Sequence, residues 1–234
     1  MLCSCFLLLL VLVANRASCF RPASINHYQS RSSSPSIVYD ETPRKPSRRR
    51  IRVKMASSEK DATSPLQRLS DMGLSLPPAP KPAANYIPCQ KVGDVLYLSG
   101  HLPLQSDGTL FTGCMGDVST FDKDLLDAIT TDKDDLALTY GQKAARQVGL
   151  NLLASIQQAV GDLDQVEKVI KLFGVVQSTN DFHQQHLVLN GCSDLLVQVF
   201  GPDIGLHARS AIGTNALPLN IVVEIEAIVK VKDV

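Results

Sequence analysis

"HARSAIGTNALPLNIVVEIEAIVKV", residues 207–231, places a short extended run at each end of a loop that holds Pro218. Successive side chains of a strand point to opposite faces. In the closing run this puts Val223, Ile225, Ala227, Val229 and Val231 on one side and Val222, Glu224, Glu226, Ile228 and Lys230 on the other. The first set is a core face. The second mixes apolar and acidic residues, and no other segment of the chain is patterned to cover it. Such a face fits a subunit interface with a site in it, so a homo-oligomer is expected.

Upstream, "STNDF" offers cap residues for a helix running to about Phe200, with Phe182, Leu189, Leu196, Val199 and Phe200 as its buried stripe and Gly201-Pro202 as its stop. "VEKVIKLFGVV" (166–176) reads as a strand. Leu138 to Val160 places Ala144, Ala145, Val148, Leu152, Ile156 and Ala159 at spacings of three and four, which predicts an amphipathic helix ended by Gly161. Residues 117–136 are acidic and weakly patterned and read as a surface insertion. Before them, "VLYLSG" (95–100) is a strand, and Asp107-Gly108 between two extended runs is a hairpin signal. A short helix is expected after Ser64, with Pro65 at its first position and Gly73 as its stop. The order is hairpin, helix, strand, helix, strand, strand. It predicts an α+β domain over 63–234, a sheet with two helices packed on one face.

The chain has no net charge, but its first quarter differs from the rest. Residues 1–58 hold ten Lys/Arg against Asp40 and Glu41, which leaves thirteen basic and twenty-one acidic residues for the remainder. The apolar run Phe6 to Val13 is too short for a membrane span and suits a signal peptide over 1–19, cleaved after Cys19. Residues 20–62, rich in Ser, Pro and Arg, lack any periodicity that would bury a face and read as a disordered basic leader. "ASCFRP" is similar to the boundary motif of the bipartite presequences of algae with secondary plastids. Plastid import is therefore expected, with secretion or an endomembrane location as the alternative. The mature part would have no membrane segment, and its acidic balance argues against a general nucleic-acid binder. Cys89, Cys114 and Cys192 in the mature part form no C-x-x-C, so neither a disulfide framework nor a metal site is indicated.

Glu224 and Glu226, two apart on one face, have Cα atoms roughly 6 to 7 Å apart and can share a pocket. If the last two strands pair, Arg209 falls within reach of that face. Arg209 then either neutralises a Glu in an interface ion pair, or grips a substrate carboxylate as a bidentate fork beside a Glu that orients or deprotonates water. Ser99 and His101 lack the context of a hydrolase nucleophile. His183 and His186 have no second ligand pair and read as one surface and one partly buried histidine, while Tyr86 reads as packing and Asn190 as surface.

The chain resembles the RidA/YjgF proteins, in particular the longer branch described as "YjgF/chorismate mutase-like, putative endoribonuclease". The likeness runs from about Leu66 to Val231. It is carried by "ANYIP", "LYLSGHLP", "ARQVGLNLLASI", "DLDQVEKVIKLFGVV", "NGCSDLLVQVFG" and above all "HARSAIGTNALPLNIVVEIEAI". The resemblance implies a chorismate-mutase-like fold and a homotrimer with ligand clefts between subunits. Relatives hydrolyse reactive 2-imino acids to 2-oxo acids and ammonia in these clefts, with no metal or organic cofactor. Carried over by position, Arg209 would bind the substrate carboxylate and Glu224 would position the attacking water. Tyr86, Ser99 and Asn190 would line the cleft, and Gly100 would bring backbone close to the ligand.

Glu226 then takes a supporting role. Two residues depart from the family pattern: Ala211 stands where imine deaminases have Cys, which excludes thiol chemistry there, and His101 stands in place of Gln. The 117–136 insertion is also longer than the branch implies. Three functions follow for comparison: an imine deaminase, a non-catalytic trimer that binds carboxylate metabolites, and the endoribonuclease of the family's older description.

Overall fold

The computed structural model describes residues 63–82, 84–129 and 136–233. The expected signal peptide and leader, and residues 130–135 of the insertion, lie outside the described residues. The domain opens with helix α1 (Pro65–Asp71), where Ser64 Oγ accepts the Gln67 amide as N-cap and Pro65 occupies the first turn, as the sequence predicts. Strands β1 (Cys89–Val92) and β2 (Val95–His101) follow, then helix α2 (Lys123–Asp127) and the long helix α3 (Leu136–Val160). Strand β3 (Val166–Gln177) leads through α4 (Gln185–Val188), α5 (Asn190–Phe200) and α6 (Pro202–Gly205) to β4 (Ala208–Thr214), and β5 (Val223–Val231) closes the fold.

One five-stranded sheet results, in the order β1-β2-β5-β3-β4. The last strand in sequence is therefore central. It runs antiparallel to β2 and β3, whereas β4 runs parallel to β3 at the edge. This corrects the expectation that β4 and β5 pair. A strand reached through intervening helices returns parallel to the strand it left, so β4 lies beside β3 and the partner of β5 on that side is already β3.

The sheet's hairpin is β1–β2, closed by Gly93-Asp94 with Val92 opposite Val95. Gly93, at φ +58°, takes the first central position, where a two-residue turn favours glycine. Asp107-Gly108 does turn the chain, with a bridge from Leu104 to Leu110, but the runs it joins stay outside the sheet.

Both principal helices pack on one face. Val223, Ile225, Ala227, Val229 and Val231 are buried beneath them, as the alternation predicts. Helix α3 packs against both the sheet and α5 and is buried from Val148 to Ile156, so that even Asn151 and Ser155 are enclosed.

 Every residue of that stretch is buried, and the polar pair is satisfied: Asn151 Nδ2 donates to the Leu102 and Leu104 carbonyls at 2.8 and 2.9 Å, and Ser155 Oγ bonds His101. The helix expected to follow "STNDF" instead begins at Gln185, with no side-chain cap, and breaks at Leu189 into α4 and α5. Three positions differ from the predicted stripes. Phe182 is only half-buried and lies ahead of α4. Ala159 is exposed, in the last turn of α3. Val222 is buried, not open, because its amide donates to the Phe111 carbonyl and the 111–115 segment lies over it.

The acidic insertion is anchored rather than merely superficial. Phe121 stacks on Tyr140 at 4.3 Å and 8°, Phe111 meets the same ring edge-on at 5.2 Å, and Tyr140 Oη donates to the Thr112 carbonyl at 3.0 Å. Asp117 and Asp122 cap the short helical turns on either side of Phe121.

Candidate functional site

The remaining face of β5 carries Glu224, Glu226, Ile228 and Lys230, and no described residue packs a helix against it. Register places Phe173 beside Glu226 and Val175 beside Glu224, with Ser210 and Ile212 beyond them on β4. Tyr97 lies opposite Ile228 on the other side. Tyr97 and Ile212 are each 47% exposed. A groove of about 620 Å³ opens on this face, lined among others by Tyr86, Ser99, Lys171, Phe173 and Glu226.

The β2–β5 ladder is interrupted between the Leu98–Ala227 and His101–Ile225 pairings, which puts Glu226 opposite the break and Glu224 just beyond it. The Glu224 side chain lies directly over Gly100, in the space a β-carbon there would fill. Partial burial, and then the negative charge of Glu226, push the Glu224 carboxyl above the usual carboxylate range. The interruption is tied down by His101, only 3% exposed, whose Nδ1 and Nε2 lie 2.7 Å from the Ser99 carbonyl and Ser155 Oγ. Burial holds this imidazole below its ordinary value, opposed by the Ser99 carbonyl. Ser99 Oγ donates to the Ile87 carbonyl at 2.7 Å, which fixes the segment carrying Tyr86 beside the groove.

Arg209 is elsewhere. It pairs in register with Leu172, which pairs with Ala227 on the helix-covered face. Its guanidinium runs to the start of α5, where Nη1 donates to Ser193 Oγ at 2.9 Å and Nη2 donates to Asn190 Oδ1 and the His186 carbonyl, each at 2.8 Å. Among the described residues no carboxylate forms an ion pair with it. The expected pairing of Arg209 with a Glu across adjacent strands is therefore absent within one chain: β3 intervenes and the two side chains leave opposite faces.

The site residues thus fall into two groups. Tyr86, Ser99, Gly100 and Glu224, with Glu226, gather on the open face. Arg209 and Asn190 meet at the β4 edge. Asn190 is therefore not a plain surface residue. Ser193 and His207 join that second group without having been predicted. Their one sequence signal is spacing, since Ser193 lies a helical turn after Asn190 and His207 two strand positions before Arg209. His183 and His186 are both exposed, so the partly buried histidine expected of that pair is not found.

Residues 126–230 match the family model described as "YjgF/chorismate mutase-like, putative endoribonuclease". The chain is 39% identical over 168 residues to Protein TCP17 of Trypanosoma cruzi, covering 72% of this chain and 92% of that one. Among solved structures, it is similar to an Agrobacterium tumefaciens protein of unknown function, at 38% identity with a TM-score of 0.58, covering 72% of this chain and 94% of that one. A protein described as a putative endoribonuclease from Shewanella oneidensis matches at 29% identity and a TM-score of 0.61, over 72% of this chain and 99% of that one.

Proposed function

The chain belongs to the YjgF/chorismate mutase-like family, the RidA/YjgF proteins, and from that premise we propose that it is a hydrolytic deaminase of reactive 2-imino and enamine acids, acting in clefts between the subunits of a homotrimer. The observation that carries this reading is the division of the site. The β4 edge holds a guanidinium with no carboxylate partner among the described residues, and the open face holds a carboxyl of raised pKa over a glycine. Each half lacks what the other supplies. A neighbouring subunit that lays its β4 edge beside this chain's open face completes the site.

In the assembled cleft Arg209 holds the substrate carboxylate. Glu224, ionised, takes a proton from water as the water oxygen bonds to C2, the C=N electron pair moves to nitrogen, and Glu224 passes the proton on to that nitrogen. The carbinolamine then collapses: Glu224 takes the hydroxyl proton and returns it to the nitrogen, the C–N bond breaks, ammonia leaves, and the 2-oxo acid forms. The imine is already electrophilic, so a positioned base contributing about 10²- to 10⁴-fold is sufficient. Tyr86 and Ser99 wall the cleft, and Gly100 admits both the carboxyl and the substrate.

The test is the rate of 2-iminopropanoate loss with the purified full chain. Acceleration that Arg209→Ala abolishes supports the reading; no acceleration refutes it. Arg209-dependent binding of 2-oxo acids without turnover would instead assign the non-catalytic carboxylate-binding trimer. The acidic balance of the chain after residue 58 disfavours the endoribonuclease, and RNA cleavage that survives Arg209→Ala would mark a contaminant. Plastid import belongs to the same proposal, and N-terminal sequencing of the native protein checks it.

A further inference from the structure

The Arg209 guanidinium ends a chain of hydrogen bonds that imine hydrolysis does not itself require. His207 Nδ1 lies 2.6 Å from the Gly205 carbonyl, which only accepts, so the ring proton sits on Nδ1 and Nε2 is an acceptor. Ser193 Oγ, 3.0 Å from Nε2, therefore donates its proton to the ring and turns its lone pairs to Arg209 Nη1. Arg209 Nη2 spends both hydrogens on Asn190 and His186. Both bidentate edges of a guanidinium use an Nη2 hydrogen. A carboxylate can grip this one with two bonds only once the guanidinium shifts; Asn190, the His186 carbonyl and Ser193 all resist the shift, and Ser193 is the one of the three that His207 acts on.

We propose that Ser193 and His207 are positioning residues for Arg209, and that protonation of His207 frees the guanidinium toward an incoming carboxylate, so that anion affinity rises as the pH falls. The inference rests on Arg209 being the carboxylate-binding group. A protonated ring presents Nε2–H to Ser193 Oγ, which then faces two cationic donors and holds Arg209 less well. The ring also adds a second positive charge beside the first.

The charged groups acting on His207 are Arg209 on β4 and Lys168 on β3, both cations, and the Lys168 ammonium is tethered to the Asp203 carbonyl at 2.7 Å. Ser193 faces it from α5, and the Gly205 carbonyl from the end of α6. Burial first, then Arg209 and Lys168, hold the imidazole below its ordinary value, opposed by the Gly205 carbonyl. A bound carboxylate supplies the negative charge missing from this set. By reciprocity, His207 must then titrate higher in the complex, and binding takes up a proton.

The experiment is calorimetric titration of the full chain with pyruvate from about pH 5.5 to about pH 8, the range in which histidine titrates, alongside His207→Gln and Ser193→Ala. Wild type should bind more tightly at acid pH, by up to about tenfold for each unit that the His207 pKa moves on binding, with proton uptake. His207→Gln should bind with a flattened profile, and Ser193→Ala, which keeps the charge but removes the shared oxygen, should fall between. Glu224 contributes equally to all three, so the differences report His207. The His207 ring resonance in wild type, which needs no variant, should titrate at higher pH with pyruvate than without. Identical profiles in wild type and His207→Gln, or a resonance unmoved by saturating pyruvate, overturn the relay and leave the carboxylate site standing. No pyruvate binding at any pH overturns both.

Discussion

The Glu224 carboxyl occupies the place of the side chain that Gly100 does not have: a β-carbon at position 100 would collide with its Oε1, Cδ and Cγ. The strand interruption between Leu98 and His101 and the missing β-carbon together set where this carboxyl can lie. Gly100 has no positive φ, so alanine is acceptable to the backbone and the displaced group is the end of a flexible side chain. Gly100→Ala should therefore move Glu224 and lower kcat/KM by about 10²-fold, the scale of a lost positioned base, while thermal unfolding changes little. A variant that keeps full turnover would remove Glu224 from the proposed mechanism.

Arg209 and Glu224 leave opposite faces of one sheet, so the proposed site would take them from different subunits. Neither Arg209→Ala nor Glu224→Gln alone should turn over 2-iminopropanoate. Unfolded together and refolded as mixed trimers, they should regain about a quarter of wild-type activity, since that share of interfaces pairs the two intact residues in a cyclic trimer. Sedimentation should show three times the chain mass. A mixture as inactive as its components would place both residues in one subunit's site.

Glu226 raises the Glu224 pKa through its charge, after burial. A base acts ionised, so kcat/KM should rise with pH through that raised value. Glu226→Gln removes the charge and should move this acid limb to lower pH, read from a pH–rate profile. Stability carries the same sign: a carboxyl with a raised folded-state pKa favours the fold below its unfolded value and loses that contribution as pH rises through the folded value. Wild type should thus lose more stability than Glu226→Gln across that interval.

Phe121, stacked on Tyr140 and 7% exposed, anchors the acidic insertion. Phe121→Ala should cost about 3 kcal/mol, the low end for a buried phenylalanine, measured by denaturant unfolding. A cost near zero would return the insertion to the status of a loose surface segment.

Helix α3, the α5 part of the second predicted helix, β2, β3 and the facing of β5 were legible because each repeats its apolar residues at the period of its own backbone. Val223 to Val231 alternate without exception, and Ser64, Pro65 and Gly73 mark a helix by local chemistry alone. Strand β1 escaped notice because "CQKV" at a sheet edge has only one partner and little to bury. The Phe121–Tyr140 stack joins residues that no local period connects.

Sequence by itself determined the family, the α+β class and the open acidic face, since motif identity and side-chain period are properties of the chain read in order. Only the tertiary structure decided that β4 lies beyond β3, so that Arg209 turns to His186, Asn190 and Ser193 instead of to Glu224. Which strand sits next to which depends on how the helices between β3 and β4 return the chain, and the register that pairs Arg209 with Leu172 and Leu172 with Ala227 puts the guanidinium and the carboxyl on opposite faces of the sheet.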